Sequence, residues 1–457
     1  MSELEKPSIN ADTEMPKSTK IKIAIGVCLF VAILALVFMA HGRVATIETP
    51  PAIQETVPPE IELNHDNLYV ARSSWRDGSW CAVDKESVTG IYIVEKYEGA
   101  STTVWSVDEM IFFQDPDGNV YIQVGPGVHM LGSMRAAFAY FPNATVLSGL
   151  EKLETSSVTD MSYIFAESAF ESIDISTWDT SSVTNFSYML YNTKNTKNIN
   201  MNNLDLSRVV DVSYMFAKCH ALENIYFENV DTSHILLMEG MFEYVGSGAP
   251  LASTTLHGTL NTDSCTNMAK MFSWTSLGNI LDVIKDFNTS NVTTMESMFE
   301  NSLDTYELDL SSWDVSKVTN MNRMFSDSIC LISLNMEGWE PTNLESADYM
   351  FQGCYNLREF NQWGAAPNIK STDHMFENCF EMLVLDVTCF DGAVIEKAER
   401  MFYCTQYVEY IYSNGFTITE PAFDMFTYCD AIKGPTPFDG RTGSDMATTT
   451  GYFTPTK

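Results

Sequence analysis

Six of the ten cysteines lie at a short, repeated distance behind a Met-Phe dipeptide or a close copy of it. They are Cys219, Cys330, Cys354, Cys379, Cys404 and Cys429, and the last four are separated by 25 residues each time. Thiols in such a column have two chemistries open to them. They can pair across neighbouring strands, because a spacing of about 4.8 Å falls within disulfide reach. Alternatively they can stack as small buried hydrophobes. The buried-thiol reading is preferred, since pairing would require the side chains to turn along the stack, but both stay open at this stage. Cys81, Cys265 and Cys389 share no phase with the column, and Cys28 sits inside an apolar run. No paired CxxC and no partnering His pairs point to zinc.

Other reactive residue types give no constellation. His65, His129, His220, His234 and His374 are scattered without triad or metal-ligand spacing. Carboxylates are so numerous that pairing any two of them carries no information without geometry. Asp115-Pro116-Asp117-Gly118 resembles the start of a calcium loop but lacks the closing Glu, so a hairpin turn is expected. Asn143, Asn185, Asn288 and Asn291 head glycosylation sequons, the last three within the repeat's own Ser-x-Val-Thr pattern, and are read as turn chemistry. Trp178, Trp313, Trp339 and Trp363 occupy matching places in the repeat, taken elsewhere by Leu204, Val230, Phe287 and Phe390. Such a row could be a sugar platform, but its constant phase against the apolar pattern favours packing. The sequence therefore predicts no catalytic, cofactor-binding or metal-binding residues, leaves the binding residues unassigned, and is not expected to encode an enzyme.

The element that must position all of these is a repeat. Met-Phe or its copy recurs at Ile164-Phe165, Met189-Leu190, Met215-Phe216, Met241-Phe242, Met271-Phe272, Met298-Phe299, Met324-Phe325, Met350-Phe351, Met375-Phe376, Met401-Phe402 and Met425-Phe426. A fixed period in this range marks a stack of similar supersecondary units. Within a unit, pairs such as Ile173 and Ile175, or Leu308 and Leu310, have strand periodicity. Val318, Met321, Met324 and Phe325 have helical spacing, with Ser316 placed as an N-cap. The Asp-Thr-Ser runs, as at Asp231-Thr232-Ser233, supply side-chain oxygens for backbone donors at the intervening turn. The fold class expected is thus an α/β solenoid: a leucine-rich-repeat-like stack of about 11 coils, each a short strand plus a short helical turn, with a small β-rich N-terminal cap, preceded by one transmembrane helix.

Along the chain of 457 residues, 1–22 reads as a cytoplasmic tail and 23–40 as a transmembrane signal anchor. Ile23 to Ala40 contains no charge and approaches the length that crosses a ~30 Å hydrocarbon core. Lys17, Lys20 and Lys22 before it place the N-terminus inside and the rest outside. A cleaved signal peptide is the rival reading. Residues 41–64, with four prolines, form a stalk. Residues 65–150 form the cap, with strands at Gly90–Val94 and Val120–Val124 and Trp75, Trp80, Trp105, Phe112 and Phe113 as filler. Residues 151–432 are the solenoid and 433–457 a C-terminal cap or tail. The formal charge of −34, from 60 acidic against 26 basic residues, excludes nucleic acid as a partner.

The motif Trp313-Asp314-Val315-Ser316-Lys317-Val318-Thr319-Asn320-Met321 resembles the BspA-like leucine-rich-repeat surface proteins, and more narrowly their Mycoplasma-type class of 25–26-residue repeats. Leu153 to Met161 and Asn288 to Met295 carry the same pattern, and the likeness covers about 150–430. The coils after Phe351 and Phe402 depart most, with Gly364-Ala365-Ala366-Pro367 and Asn414-Gly415-Phe416-Thr417 in place of the usual turn. The resemblance implies surface exposure and adhesion or protein binding, and it carries no catalytic motif. With the membrane segment read at 23–40, the expectation is a single-pass cell-membrane protein whose C-terminal ectodomain lies on the cell surface and binds an extracellular protein or glycan through a solenoid face. A structural envelope spacer without a specific ligand is the alternative, and an enzyme sited in 65–150 a third reading.

Overall fold

The strand half and the Met-Phe half of each repeat are both present, but the Met-Phe half is not helical. The computed structural model describes residues 80–456 apart from 108–109, 125–128, 203, 247–253, 277–279, 303–304 and 361–362. The proposed tail, transmembrane segment and stalk, with Trp75 and His65, lie outside the described residues.

In the unit around Met324-Phe325, alternate backbone N–H groups have two destinations. Those of Met321, Arg323, Phe325 and Asp327 donate to Ser346, Asp348, Met350 and Gln352 of the next coil at 2.7–3.0 Å. Those of Met324, Ser326 and Ser328 close three-residue turns onto Met321, Arg323 and Phe325. An α-helix sends every N–H back up its own axis; here half are diverted sideways into the neighbour. Diversion is possible because Arg323 and Asp327 take left-handed φ values of 57°, which breaks the helix each time it would begin. The same pair of left-handed positions, four apart, recurs at Tyr163 and Glu167, Tyr188 and Asn192, and His374 and Asn378. Successive turns of three residues explain why apolar side chains fell at helix-like spacing. Ser316 is accordingly no N-cap; its N–H donates to Asp314 Oδ1 at 2.9 Å. Among the described residues the α-helix is limited to Ile280–Ile284, and no described helix is long and apolar enough to cross a membrane.

The opposite side of each coil is a short parallel strand, as at Asn198–Asn200, Asn224–Phe227 and Thr255–Gly258, or Glu307–Asp309, Ser333–Asn335 and Glu359–Phe360. Register is fixed by the inward apolar residue: Ile199 faces Ile225, which faces Leu256, and Leu308 faces Leu334. A one-residue slip would turn that residue to solvent. Isolated bridges from Asp160 to Asn185, onward through Asn320, to Lys397 form a second ladder ahead of the Met-Phe turns.

Between the ladders runs the core. Phe216, Phe242, Phe272, Phe299, Phe325, Phe351, Phe376, Phe402 and Phe426 stack ring on ring at 5.3–6.0 Å. The Met of each pair is fully buried beside its Phe. The two divergent coils close nonetheless: Ala366 donates to the Cys389 carbonyl, and Asn414 Nδ2 binds Asp391 Oδ2.

At the N-terminal end, strands β1 (Gly90–Val94), β2 (Thr103–Val107), β3 (Met110–Gln114) and β4 (Asn119–Gln123) make a sheet that Val146–Ser148 joins to the stack. Trp80 and Phe112 fill its inner side, stacked at 5.3 Å. Phe113 faces the other way, against Tyr97. The solenoid ladder starts further upstream than residue 150: Met134, Ala136, Phe138 and Tyr140 already donate to Asp160, Ser162, Ile164 and Ala166. Ala137-Phe138 is thus a further copy of the dipeptide, disguised by alanine. At the far end, the chain after Lys433 folds back, so that Phe426 donates to Thr442 and Phe453–Thr454 extends the strand ladder.

Candidate functional site

Each repeated residue type has a structural task. The Trp row is packing. Trp178, Trp313 and Trp339 are nearly fully buried, and each indole N–H donates to a carbonyl of the preceding coil, Leu150, Ile284 and Leu310, at 2.8–3.0 Å. Thr155, Thr180, Thr232, Thr262 and Thr289 form a buried ladder, each hydroxyl donating to the next coil's carbonyl at 2.9–3.0 Å. The adjoining Asp or Asn accepts from the N–H two residues on, as Asp179 does from Ser181. At Asp314 that backbone bond from Ser316 comes first among the contacts that hold its carboxyl below the ordinary carboxylate range.

The cysteines of the described residues are free thiols. Cys219, Cys354, Cys379 and Cys429 do stand in one column, each Sγ donating at 3.0–3.1 Å to the carbonyl of the preceding coil's Met-Phe segment, at Leu190, Phe325, Phe351 and Phe402. Ser168, Thr275, Ser302 and Thr405 fill the same place with hydroxyls; Thr275 donates to the Phe242 carbonyl of the preceding coil, whereas Ser168, Ser302 and Thr405 donate to Phe165, Phe299 and Phe402 of their own coil. Cys404 is not a member. It falls one residue early, takes φ 60°, and is only partly buried. Cys330 likewise sits two residues beyond Ser328, which holds the column position. Burial pushes the Cys219 thiol up to about 11 and Cys429 to about 12.

The sequon amides are also engaged. Asn143 Nδ2 donates to the Glu86 carbonyl, Asn288 and Asn291 donate to Asp263, and Asn185 accepts from Ser187. Asp115 accepts from the N–H groups of Asp117 and Asn119 and from the Asn119 amide, so the calcium-like sequence is a hairpin turn between β3 and β4. His129 pairs with Glu154, and His374 Nδ1 lies 2.5 Å from Glu377 Oε2. Among the described residues no three His, Cys, Asp or Glu side chains are placed to hold a metal ion.

What the repeat does not require is an aromatic residue immediately before the Met-Phe pair. In later coils that position is Gly240, Lys270, Ser297, Arg323, Tyr349, His374, Arg400 and Asp424, so aromatics return there only as the pair Tyr349 and His374, stacked at 4.5 Å. In three consecutive early coils it is tyrosine. Tyr163, Tyr188 and Tyr214 stack in parallel at 4.5 and 4.8 Å, all left-handed, with Arg135 4.6 Å over the first ring. Tyr191 meets Tyr188 edge-on at 5.5 Å and carries Lys218 over its own face. Ala136, Ala139 and Ala166 make a small apolar cluster, separate from the main core, beneath Tyr140, Tyr163 and Tyr191. The row ends at Gly240, where a Cβ would lie 2.3 Å from Tyr214 Cε1. Tyr214 also donates to Glu239 Oε1 at 2.6 Å. Burial holds the three phenols above their ordinary value, so all remain hydroxyl donors at neutral pH. The result is a half-buried, rigid, hydroxyl-edged surface of the residue types that dominate protein contacts. Sequence reading passed over it because tyrosines one position from an invariant landmark look like part of the landmark.

The family model described as Mycoplasma protein of unknown function, DUF285, matches residues 132–251, 252–363 and 333–436, well over half of the chain. The first match begins just ahead of the Ala137-Phe138 coil. Among solved structures, a leucine rich cell surface protein from Faecalibacterium prausnitzii A2-165 is similar at 11% identity, covering 77% of this chain and 98% of that one, with a TM-score of 0.31. No curated protein matches the sequence.

Proposed function

This chain belongs to the DUF285 family of Mycoplasma proteins, and from that premise we propose that it is a membrane-anchored cell-surface binding protein whose docking face includes the early tyrosine row. The observation that carries this reading is the continuity of the row through three consecutive coils, longer than the later pair of Tyr349 and His374. Tyr163, Tyr188 and Tyr214 occupy a position that the fold fills equally well with glycine, lysine or serine, so the aromatics serve something other than coil closure. Repeat stacks offer extended surfaces of fixed spacing, and rigid aromatics lose little conformational entropy when they engage a partner. Anchoring rests on the uncharged run from Ile23 to Ala40 and the lysines before it. Under this reading the partner is an extracellular protein, and the chain carries out no catalysis.

The test is binding of labelled full chain to intact cells. Saturable binding is expected, reduced at least tenfold when Tyr163, Tyr188 and Tyr214 are all replaced by serine, with thermal unfolding monitored to confirm that the stack survives. Absence of saturable binding by the wild-type chain would leave the envelope spacer. Saturable binding indifferent to the triple replacement would move the docking face elsewhere.

A further inference from the structure

A free sheet edge is a row of main-chain donors and acceptors open to another strand, and folded proteins usually blunt it with charge, proline or distortion. On one side of the N-terminal sheet, Val146–Ser148 is continued by the stack, since Glu171 of the next coil donates to the Thr145 carbonyl at 2.9 Å. At the C-terminal end the last strand is only the pair Phe453–Thr454. Strand β2 differs. It forms the other side of the N-terminal sheet and pairs with β3 alone.

Ladder alternation tells which groups of β2 point outward. Asp115 donates to the Asn119 carbonyl at 3.0 Å, so β3 turns the main-chain groups of Ile111 and Phe113 toward β4. Those of Met110, Phe112 and Gln114 then face β2 and meet Val107, Trp105 and Thr103. Val104 and Ser106 face away, and among the described residues nothing bonds to the N–H or C=O of either. On the outer face Val104 is 55% exposed, and Ile111, beside Ser106, is 40% exposed. The strand is held firmly from within. Trp105 stacks on Phe112 at 5.3 Å, and its indole N–H donates to the Trp80 carbonyl at 2.7 Å. An incoming strand therefore meets an edge already ordered.

Charge and symmetry select the occupant. From Ala100 to Val107 there is neither charge nor proline, so this edge lets a second copy of a chain of net charge −34 approach without like charges face to face. The edge also complements itself. In an antiparallel pair centred on Trp105, Val104 of each copy lies opposite Ser106 of the other, and every outward donor finds an outward acceptor. The outer row then runs Phe113, Val104, and onward to Ser106 and Ile111 of the second copy.

We propose that β2 joins two copies of this chain edge to edge, as a two-fold antiparallel strand pair centred on Trp105. The pairing is independent of the tyrosine row. One strand pair buries little area, so the dimer is weak, and the test is sedimentation equilibrium of the full chain in detergent over a concentration series. Reversible dimerisation is expected, weakened tenfold or more by S106K, which sets an ammonium on the edge. V104P, which removes an outward N–H and leaves the ladder to β3 intact, should act likewise. S106T should dimerise as wild type does, and all three variants should keep the wild-type thermal unfolding. As wild-type concentration rises, hydrogen exchange of the peptide spanning 103–107 should slow, and in S106K it should not. A monomer at every concentration would overturn the self-association and leave the edge to a strand of another protein. A dimer that persists in both S106K and V104P, or that leaves exchange of 103–107 unchanged, would overturn it by placing the contact elsewhere.

Discussion

A single side chain in this protein is defined by its column, and the thiol column makes the point. Cys379 and Ser328 do the same work, each donating to the Phe carbonyl of the preceding coil, yet they differ in ionisation. Burial pushes the Cys379 thiol well above its ordinary 9, whereas an unfolded thiol ionises near pH 9. The folded value is raised, so the stability contribution is full below about pH 9 and falls as pH rises toward the folded value. C379S should therefore be close to neutral at pH 7. At about pH 10.5 it should be more stable than wild type by about 2 kcal/mol, measured by urea unfolding at both pH values. Cys404, out of the column and only partly buried, should be alkylated in the native state ahead of the fully buried column thiols. A mass map showing Cys379 or Cys429 labelled ahead of it would contradict the column.

At the scale of the element, hydrogen bonds between coils replace those that a helix would make within itself. Thr289 is buried, and its hydroxyl donates to the Asp314 carbonyl at 2.9 Å. T289V keeps the shape and strands that acceptor, so a loss of about 1–3 kcal/mol is expected in denaturant unfolding. This scale is also where sequence reading was half right. Strand positions such as Leu308 were legible, because alternation has one physical meaning. Spacing of three at Val318, Met321 and Met324 has two, a helix or successive turns. Only the left-handed backbone at Arg323 and Asp327 separates them, and neither residue advertises it as glycine would. The Trp and Asp-Thr-Ser roles were legible from constant phase, whereas the tyrosine row was hidden because it varies where the repeat permits variation. Ala137-Phe138 was missed for the related reason that alanine erased the landmark.

For the molecule as a whole, contacts reach one coil in either direction, so stability should depend on phase more than on length. Removing residues 294–319 joins Thr293 to Asn320, the residue that follows its equivalent, Thr319, and keeps every ladder in register. That deletion should fold cooperatively, with a smaller denaturant m-value in proportion to the lost surface. Removing 307–319 alone joins a Met-Phe turn to the next bridge position and omits the strand between. Circular dichroism and urea titration should show that variant unfolded or uncooperative. Two outcomes would contradict the repeat energetics: unfolding of the in-phase deletion, or cooperative folding of the half-period one.

The diverted N–H groups have a mechanical consequence. Bonds from Arg323 to Asp348 and from Phe325 to Met350 run along the stacking direction, so coil interfaces stand in series under tension between the two ends of the stack, each bearing the full load and the weakest giving way first. Pulled by its ends, such a chain should release coils singly, each paying out about 80 Å of extended backbone, which optical-trap traces would record as evenly sized steps. A tether of this kind yields in increments under load and shortens again, coil by coil, when the load is removed.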